Sequence, residues 1–320
     1  MTTRSSYSSL YASENILRAW GWVRSNPDAS YKTYFRQHYA NFAVSQEDLL
    51  KSLSNKLRRG SYRPGAPTKI YLPKPSGILR PYTLLDVEDQ IVYQAAVNLI
   101  AEKLYPKVRH RYCKQVFGHL YAGKNSIWFY RKWADGYKAF NKSATNAFNS
   151  GNIYAATFDL TAFYDSIDHH VLEHFLLELN VPRKLVTNLK QWLHSWSHTN
   201  AKILQGHGIP QGPLSSGLLA ESVLAYLDDH QWSNRNVIYL RYVDDIKLFA
   251  KTEADLRKAL IQLDYLSKDI GLFPQSSKIN IHRIKDVKSE LKTISQPTQS
   301  SLNETKVNQH ALRQRLNKLT

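Results

Sequence analysis

Hydrophobic residues recur at helical spacing in the first half of the chain. One apolar face begins after Ser45, where Asp48 completes a capping-box pattern, and it stops at Gly60, a residue that commonly ends a helix. Its apolar positions are Leu49, Leu50, Leu53 and Leu57. A nearly continuous apolar pattern over residues 87–104 predicts a second, longer helix.

Three further helices are predicted in the second half of the chain, each from a start signal followed by an apolar face. Asp168 and Thr252 are suitable N-caps, and Pro213 stands where proline is tolerated at the start of a helix. Asp255 completes a capping pattern with Thr252, and Gly271 marks the end of that helix.

Short segments rich in β-branched and aromatic residues predict strands between these helices. They cover residues 69–72, 152–160, 237–243, 246–250 and 276–282. From residue 152 onward the order is strand, helix, helix, hairpin, helix, strand. That order is typical of an α+β layer of the split βαβ kind.

Composition limits the class of protein and suggests a polyanionic partner. The 320 residues carry 43 Lys and Arg against 26 Asp and Glu, a formal net charge of +17, and 42% of them are hydrophobic. Such an excess suits phosphate backbones, which basic side chains bind with release of counterions. Cys113 is the single cysteine, which excludes a disulfide framework and favours a reducing, cytoplasmic location. No stretch approaches the ~18 apolar residues of a membrane span, so no membrane contact is expected.

Two adjacent carboxylates stand where a hairpin tip is predicted. Asp244-Asp245 lies between two strand segments, has no glycine beside it and sets like charges next to each other. A bound cation removes that repulsion, and Mg²⁺ prefers carboxylate and phosphate oxygens, with Mn²⁺ as the alternative. Two such ions ~4 Å apart need a further carboxylate, and Asp159 supplies one at the end of its strand.

The motifs around these residues resemble those of reverse transcriptases, in the order in which that family carries them. Tyr242-Val-Asp-Asp245 and Phe158–His169 resemble two palm motifs, and Gly208–Ser216 contains the Pro-Gln-Gly motif. Residues 77–81 with 85–92 resemble the fingers motifs, and Gly271–Lys278 resembles the later palm motif that ends in lysine. Each motif is weak alone, but the set is specific.

The resemblance implies a right-hand polymerase of α+β class. Residues 1–60 would form a helical N-terminal extension, and residues 61–285 the fingers and palm. Within the latter, the fingers would take residues 61–152 and 182–205, and the palm residues 153–181 and 206–285. Residues 286–320 would be the start of a thumb region, short or truncated at the C-terminus.

The same resemblance implies the site residues. Asp159, Asp244 and Asp245 would be catalytic metal ligands, assisted by the backbone carbonyl of Leu160. The incoming nucleotide would contact Lys74, Arg80, Tyr164, Gln211, Gly212 and Lys278. The ring of Tyr164 would exclude a ribose 2′-hydroxyl, whereas Phe163 beside it would belong to the core, because alternation along an extended segment sends the two side chains to opposite sides.

Some of these positions have a plainer interpretation. Lys74 fits a solvated turn equally well, and Lys278, a candidate general acid toward pyrophosphate, fits a strand-edge lysine. The basic and aromatic residues of 128–138 suit either nucleic-acid stacking or an amphipathic helix that buries its rings, and the second is the commoner.

One departure from the commonest family pattern points to a subgroup. Gly212-Pro213 with Ser216 is followed by Leu219-Ala-Glu221, similar to bacterial defence-associated and abortive-infection reverse transcriptases. The expected function is RNA-directed DNA synthesis from a primer 3′ end, in antiviral (phage) defence. The alternatives left open are template-independent or protein-primed DNA synthesis, a non-catalytic nucleic-acid-binding module, and a group II intron or retron type enzyme.

The partners implied are an RNA template, a DNA product and dNTPs. An associated non-coding RNA or an accessory defence protein would be added by the defence role. The sequence alone does not distinguish templated from untemplated synthesis, and it leaves the oligomeric state open.

Overall fold

The computed structural model describes residues 6–25, 30–73, 79–197, 206–232 and 236–291. The helices of these ranges are α1 Ser13–Arg24, α2 Arg36–Val44, α3 Gln46–Arg59, α4 Val87–Val108, α5 Trp133–Asn149, α6 Phe163–Ser166, α7 His169–Glu178, α8 Arg183–Ser197, α9 Leu214–Asp228, α10 Glu253–Asp269 and α11 Val287–Leu291. The strands are β1 Thr68–Pro73, β2 Leu79–Leu84, β3 Tyr154–Phe158, β4 Val237–Tyr242, β5 Asp245–Ala250 and β6 Ile281–Arg283.

A buried helix joins the N-terminal helices to the rest of the molecule. Helix α4 is buried on nearly all sides over its first four turns, and both α1 and α9 pack against it. Its buried polar groups are paired: Asn15 on α1 donates to the carbonyl of Ala95, and Asn98 donates to Asn15. Pairing of this kind offsets the cost of burying amides, so α1 is fixed in one position on α4.

The second half of the chain contains a four-stranded sheet. Its order is β4-β5-β3-β6, and every neighbouring pair is antiparallel. Since β3 and β4 both run antiparallel to β5, they are parallel to each other with β5 between them, which is the split βαβ arrangement. The expected α+β class with a split βαβ sheet is confirmed.

The small sheet β1–β2 is attached to the loop before α9. Its strands pair from Thr68 with Leu84 to Pro73 with Leu79. The amide of Thr83 donates to the carbonyl of Gln211, at 2.8 Å. A tyrosine from the N-terminal region, Tyr31, reaches the same point and donates to the carbonyl of Thr83.

The helix signals in the sequence are mostly correct, with one exception. Asp168 caps α7 by accepting from two backbone amides, Thr252 caps α10, and Gly60 follows α3 in the left-handed conformation. The prediction of a capping box at Ser45 is wrong, because the Ser45 side chain makes no capping hydrogen bond. Ser45 is the single residue between α2 and α3, and it contributes only its carbonyl, to Leu49.

Two expected extended segments differ. The strand expected over 276–282 is a turn of 3₁₀ helix, Ser276–Lys278, followed by the short β6. The segment that holds Phe163 and Tyr164 is the short helix α6, not extended chain, after Ala162 in the left-handed region. The aromatic stretch at 128–138 begins as a loop, and helix α5 starts only at Trp133.

Lys74 and the Gly77–Ile78 part of the fingers motif lie outside the described residues, as does the chain after Leu291. Among the helices that are described, none combines the length and the apolar character that crossing a bilayer requires.

Candidate active site

The first carboxylate lies at the end of β3, one of the two inner strands of the sheet. Asp159 directly follows β3, and the last pair between β3 and β5 joins Phe158 to Ile246. One step beyond that pair lie Asp159 on one strand and Asp245 on the other, so both carboxylates stand at the same end of the sheet.

The second pair of carboxylates belongs to the β4–β5 hairpin, with a shift of one residue from the expected turn. Tyr242 pairs with Asp245, so the two loop residues are Val243 and Asp244, and Asp245 begins β5. Val243 has φ +58°, while Asp244 is not in the left-handed region. Positive φ at the first loop position alone is the type II′ pattern, in which that position usually holds glycine and here holds valine.

The three carboxylates repel one another. Burial raises the pKa of Asp245 to about 7, and the charges of Asp244 and Asp159 add to that rise. Burial also raises the pKa of Asp244, with Asp159 contributing, while Arg80 and Arg241 oppose the increase. A bound cation would relieve the repulsion that raises the pKa values of Asp244 and Asp245.

A lysine neutralises part of this charge. Nζ of Lys278 donates to Oδ2 of Asp159 at 2.5 Å, across 119 residues of chain. Within the ranges that the structure describes, no three His, Cys, Asp or Glu side chains already converge on a point suited to a metal ion. The donors nevertheless fit Mg²⁺ or Mn²⁺ by their chemistry, because carboxylate oxygens are the ligands that hard divalent cations prefer.

The backbone at Leu160 is fixed by the chain that follows α10. Leu160 forms an antiparallel bridge with Pro274, in which Asp159 accepts from Gln275 and Thr161 donates to Phe273. In a bridge of this type the central residue directs its own peptide groups away from its partner, so the carbonyl of Leu160 does not point at Pro274. Its role as a metal ligand stays a prediction.

The two aromatics of α6 occupy different environments. Phe163 is buried in the core with 3% of its surface exposed. Tyr164 is partly buried, and burial, with the charge of nearby Asp244 as the next cause, raises the pKa of its phenol well above its ordinary value. Phe163 lies in the core as expected, although the reason given for it, an extended backbone, is wrong. The role of Tyr164 in sugar selection stays a prediction.

The Pro-Gln-Gly loop lies against the same segment. The amide of Ile209 donates to the carbonyl of Tyr164 at 2.9 Å, and that of Gly208 to the carbonyl of Ile167 at 2.8 Å. Gly212 has φ +124°, and a Cβ there would overlap the ring of Tyr31 and press on that of Tyr82. These two rings are enough to require a glycine here, and contact of Gly212 with the nucleotide stays a prediction.

Lys74 and Arg80 were the two basic residues expected to contact the nucleotide from the small sheet, and Arg80 is the one that the structure describes. It is exposed on β2, and its charge acts on Asp244. The structure thus brings Asp159, Asp244, Asp245, Arg80, Tyr164 and Lys278 to one region.

The sequence comparison decides the family. A family model described as reverse transcriptase (RNA-dependent DNA polymerase) matches residues 72–308, well over half of the 320-residue chain. The chain belongs to the reverse transcriptase family. That family is described as RNA-dependent DNA polymerase, which agrees with the enzyme class expected from the sequence. No curated protein matches the chain.

Solved telomerase structures resemble part of this reverse transcriptase-family chain. The structure of telomerase from Candida albicans is 12% identical with a TM-score of 0.48 and covers 71% of this chain and 44% of its own. The structure from Candida tropicalis is 13% identical with a TM-score of 0.47 and covers 73% and 44%. The chain therefore spans less than half the length of these two telomerase chains. The comparisons show the family and not a subgroup within it.

Several side chains around the site were not predicted. Arg241 stands in an apolar strand, Glu221 and Asp228 in an apolar helix, and all three are buried. A charge in an otherwise apolar segment was the available signal, since buried charges are rare unless they are paired. Tyr31 carried no signal, because nothing in its local sequence indicates contact with Gly212.

The aromatic side chains of residues 128–138 lie in different environments. Phe129 is buried in the main core, whereas Trp128 is 42% and Trp133 54% exposed. The rings are thus neither all packed nor all available for stacking on bases, and nucleic-acid contact here stays a prediction.

Proposed function

We propose that this chain copies RNA into DNA by adding dNTPs to a primer 3′ end, with Asp159, Asp244 and Asp245 as the ligands of two divalent cations. The observation that carries the proposal is the grouping of these carboxylates at one end of the sheet, beside Tyr164. Family membership supports the same chemistry.

The carboxylates would form the metal site. Asp159, Asp244 and Asp245 would hold Mg²⁺ or Mn²⁺, assisted by the carbonyl of Leu160. The chemistry such ions supply, when bound, is a lowered pKa for the primer hydroxyl and compensation of the charge on the leaving pyrophosphate.

The nucleotide would be held by residues on several sides of the cleft. Arg80 lies on the small sheet and would contact the triphosphate, because a guanidinium pairs with phosphate oxygens in bidentate fashion. Tyr164 would lie under the sugar and exclude a 2′-hydroxyl. Gln211 and Gly212 would support the base pair from the loop before α9. Lys278, bonded to Asp159 in the free protein, would be released by a bound cation and could then donate a proton to pyrophosphate.

We further propose a role in bacterial antiviral defence, in the cytoplasm. The support is the sequence after the Pro-Gln-Gly motif, Gly212-Pro213 with Ser216 and Leu219-Ala-Glu221, which is similar to the abortive-infection type. The partners would be an RNA template, the DNA product and dNTPs, with a non-coding RNA or an accessory defence protein in the cell.

Template and primer are tested together by one experiment. The purified chain is incubated with Mg²⁺, dNTPs and a defined RNA annealed to a DNA primer, and the products are sequenced after treatment with and without protease. DNA complementary to the RNA and joined to the primer supports the proposal. Random-sequence DNA that enters the gel only after protease treatment would establish untemplated, protein-primed synthesis instead.

A further inference from the structure

A buried arginine lies beneath the turn that carries Asp244. Arg241 is in β4, and its side chain is 1% exposed. Two carboxylates of α9 face it: the guanidinium donates twice to Glu221, at 3.0 and 2.8 Å, and twice to Asp228, at 2.8 and 2.6 Å. Tyr239 also donates to Asp228, at 2.9 Å.

The fifth hydrogen bond of Arg241 goes to the turn itself. Nη1 donates to the carbonyl of Val243 at 2.7 Å. These five bonds correspond to the five N–H donors of a guanidinium, so its fork is fully used and cannot rotate. Lysine, with three donors on one nitrogen, cannot reproduce this set.

The residue held in this way has an unfavourable backbone. Val243 is β-branched and has φ +58°, a conformation that such residues rarely adopt. On its other side lies Gly118, where a Cβ would come within 2.5 Å of Cγ2 and 2.6 Å of the amide nitrogen of Val243. The turn is therefore confined between a residue with no side chain and a fixed guanidinium.

The same cluster reaches the nucleotide side of the cleft. Glu221 and Asp228 lie on α9, the helix that begins directly after the Pro-Gln-Gly loop. The backbone of Arg241 is also fixed, since its amide donates to Gln115 and its carbonyl accepts from Phe117. The cluster thus links α9 to the hairpin turn through side chains that are removed from solvent.

We propose that Arg241 is a positioning residue, clamped by Glu221 and Asp228, that holds the Val243 carbonyl and so sets the direction of the Asp244 and Asp245 carboxylates. This inference rests on the proposed function, because it assigns the arginine to a cation site. A guanidinium that only neutralises two carboxylates in the core is the competing interpretation, and lysine would satisfy that role.

The test compares Arg241→Lys with the wild-type chain. Mn²⁺ binding to the protein without nucleic acid is measured by the loss of the free-ion electron paramagnetic resonance signal, and kcat and KM for dNTP are measured separately. Residues that orient metal ligands typically affect metal affinity by about 10- to 100-fold when changed, and we expect Mn²⁺ affinity and kcat to fall by that amount. The KM for dNTP should change by less than about 3-fold, because the nucleotide contacts remain.

Two further variants keep the test decisive. Leu53→Ala removes a buried side chain from α3 and serves as the control for loss of stability, with Mn²⁺ affinity unchanged at an equal loss of Tm. Glu221→Gln replaces one acceptor oxygen by a donor facing the guanidinium, and it provides the result if Arg241→Lys does not fold. We expect a smaller loss of Mn²⁺ affinity in the same direction.

The inference fails alone if the wild-type chain binds Mn²⁺ and the folded Arg241→Lys or Glu221→Gln variant binds it equally well. It also fails if Leu53→Ala reproduces the loss. A wild-type chain that binds no Mn²⁺ and incorporates no dNTP would overturn the proposed function, and the inference with it.

Discussion

The ammonium group of Lys278 donates a hydrogen bond to Oδ2 of Asp159 at 2.5 Å. Asp159 directly follows β3, and Lys278 comes after helix α10, which packs on the sheet. A positive side chain thus lies where the proposed function requires a cation, so lysine and cation compete for one carboxylate.

The competition predicts the effect of removing the lysine charge. Lys278→Gln should bind Mn²⁺ about 2- to 5-fold more tightly in the free protein, the range expected for loss of a half-exposed ion pair. Its kcat should nevertheless fall, because the proposed proton donor to pyrophosphate is gone. Titration with Mn²⁺ and single-turnover kinetics measure the two effects.

A matched control is present on α10, where Lys268 pairs with Asp264 at 2.7 Å on the surface. Lys268→Gln should change neither quantity. Equal or weaker Mn²⁺ binding by Lys278→Gln would show that the lysine does not compete with the cation.

Sugar selection is expected to depend on Tyr164. Tyr164→Ala should keep dNTP incorporation and raise rNTP incorporation relative to dNTP by about 10- to 100-fold, since steric overlap of a 2′-hydroxyl with a packed ring costs about 1–3 kcal/mol. Single-nucleotide extension of a primed template with each sugar gives the ratio.

Phe163 provides the matched control, because it is the adjacent aromatic and lies in the core. Phe163→Ala should lose about 3–5 kcal/mol of unfolding free energy and leave the sugar ratio unchanged. If the sugar ratio moves in Phe163→Ala and not in Tyr164→Ala, the two assignments are exchanged.

The local sequence pattern was sufficient to predict the strand that ends next to Asp159 and the two helices capped by Asp168 and Thr252. In each case a strand or a capped helix is specified by residues within a few positions of one another. The division between Phe163 and Tyr164 was predicted from the wrong backbone, because a single turn of helix and a short strand cannot be told apart over four residues.

Long-range pairing was not available from the sequence. Arg241 binds residues 13 and 20 positions away, and Lys278 binds a residue 119 positions away. No period or motif encodes such a partner, since the partner depends on how strands and helices are stacked. The contact of Tyr31 with Gly212 was missed for the same reason.

A buried ion pair attaches helix α11 to the sheet. Lys247 of β5 donates to the side chain and to the backbone carbonyl of Glu290, and Glu290 also contacts Nε2 of His282 at 2.6 Å. Glu290→Gln should lower the unfolding free energy by about 1–3 kcal/mol at pH 7, because it weakens hydrogen bonds to a buried cation. Urea unfolding measures the loss, with Glu253→Gln, in an exposed pair with Arg257, as the control that changes little.

The difference should depend on pH. Burial alone would raise the pKa of Glu290, but the hydrogen bonds from Lys247 and His282 hold it below its ordinary value of 4.5. Burial lowers the pKa of Lys247 although Glu290 opposes this, and Glu290 governs the acid range because Lys247 stays protonated there. A depressed carboxyl pKa contributes stability that is complete above about pH 5 and is lost as the pH falls through the folded pKa. The gap between wild type and Glu290→Gln should therefore narrow as the pH falls below the ordinary carboxyl value of 4.5. A gap that is constant from pH 7 to pH 3 would contradict the account.

The most direct test of the central claim is single-nucleotide incorporation on an RNA template with a DNA primer, by wild type and by Asp244→Asn with Asp245→Asn, at saturating Mg²⁺. Loss of metal ligands should reduce the rate by more than about 1000-fold, while circular dichroism shows an unchanged fold. Incorporation at the wild-type rate by the folded double variant would contradict the assignment of these carboxylates to catalysis.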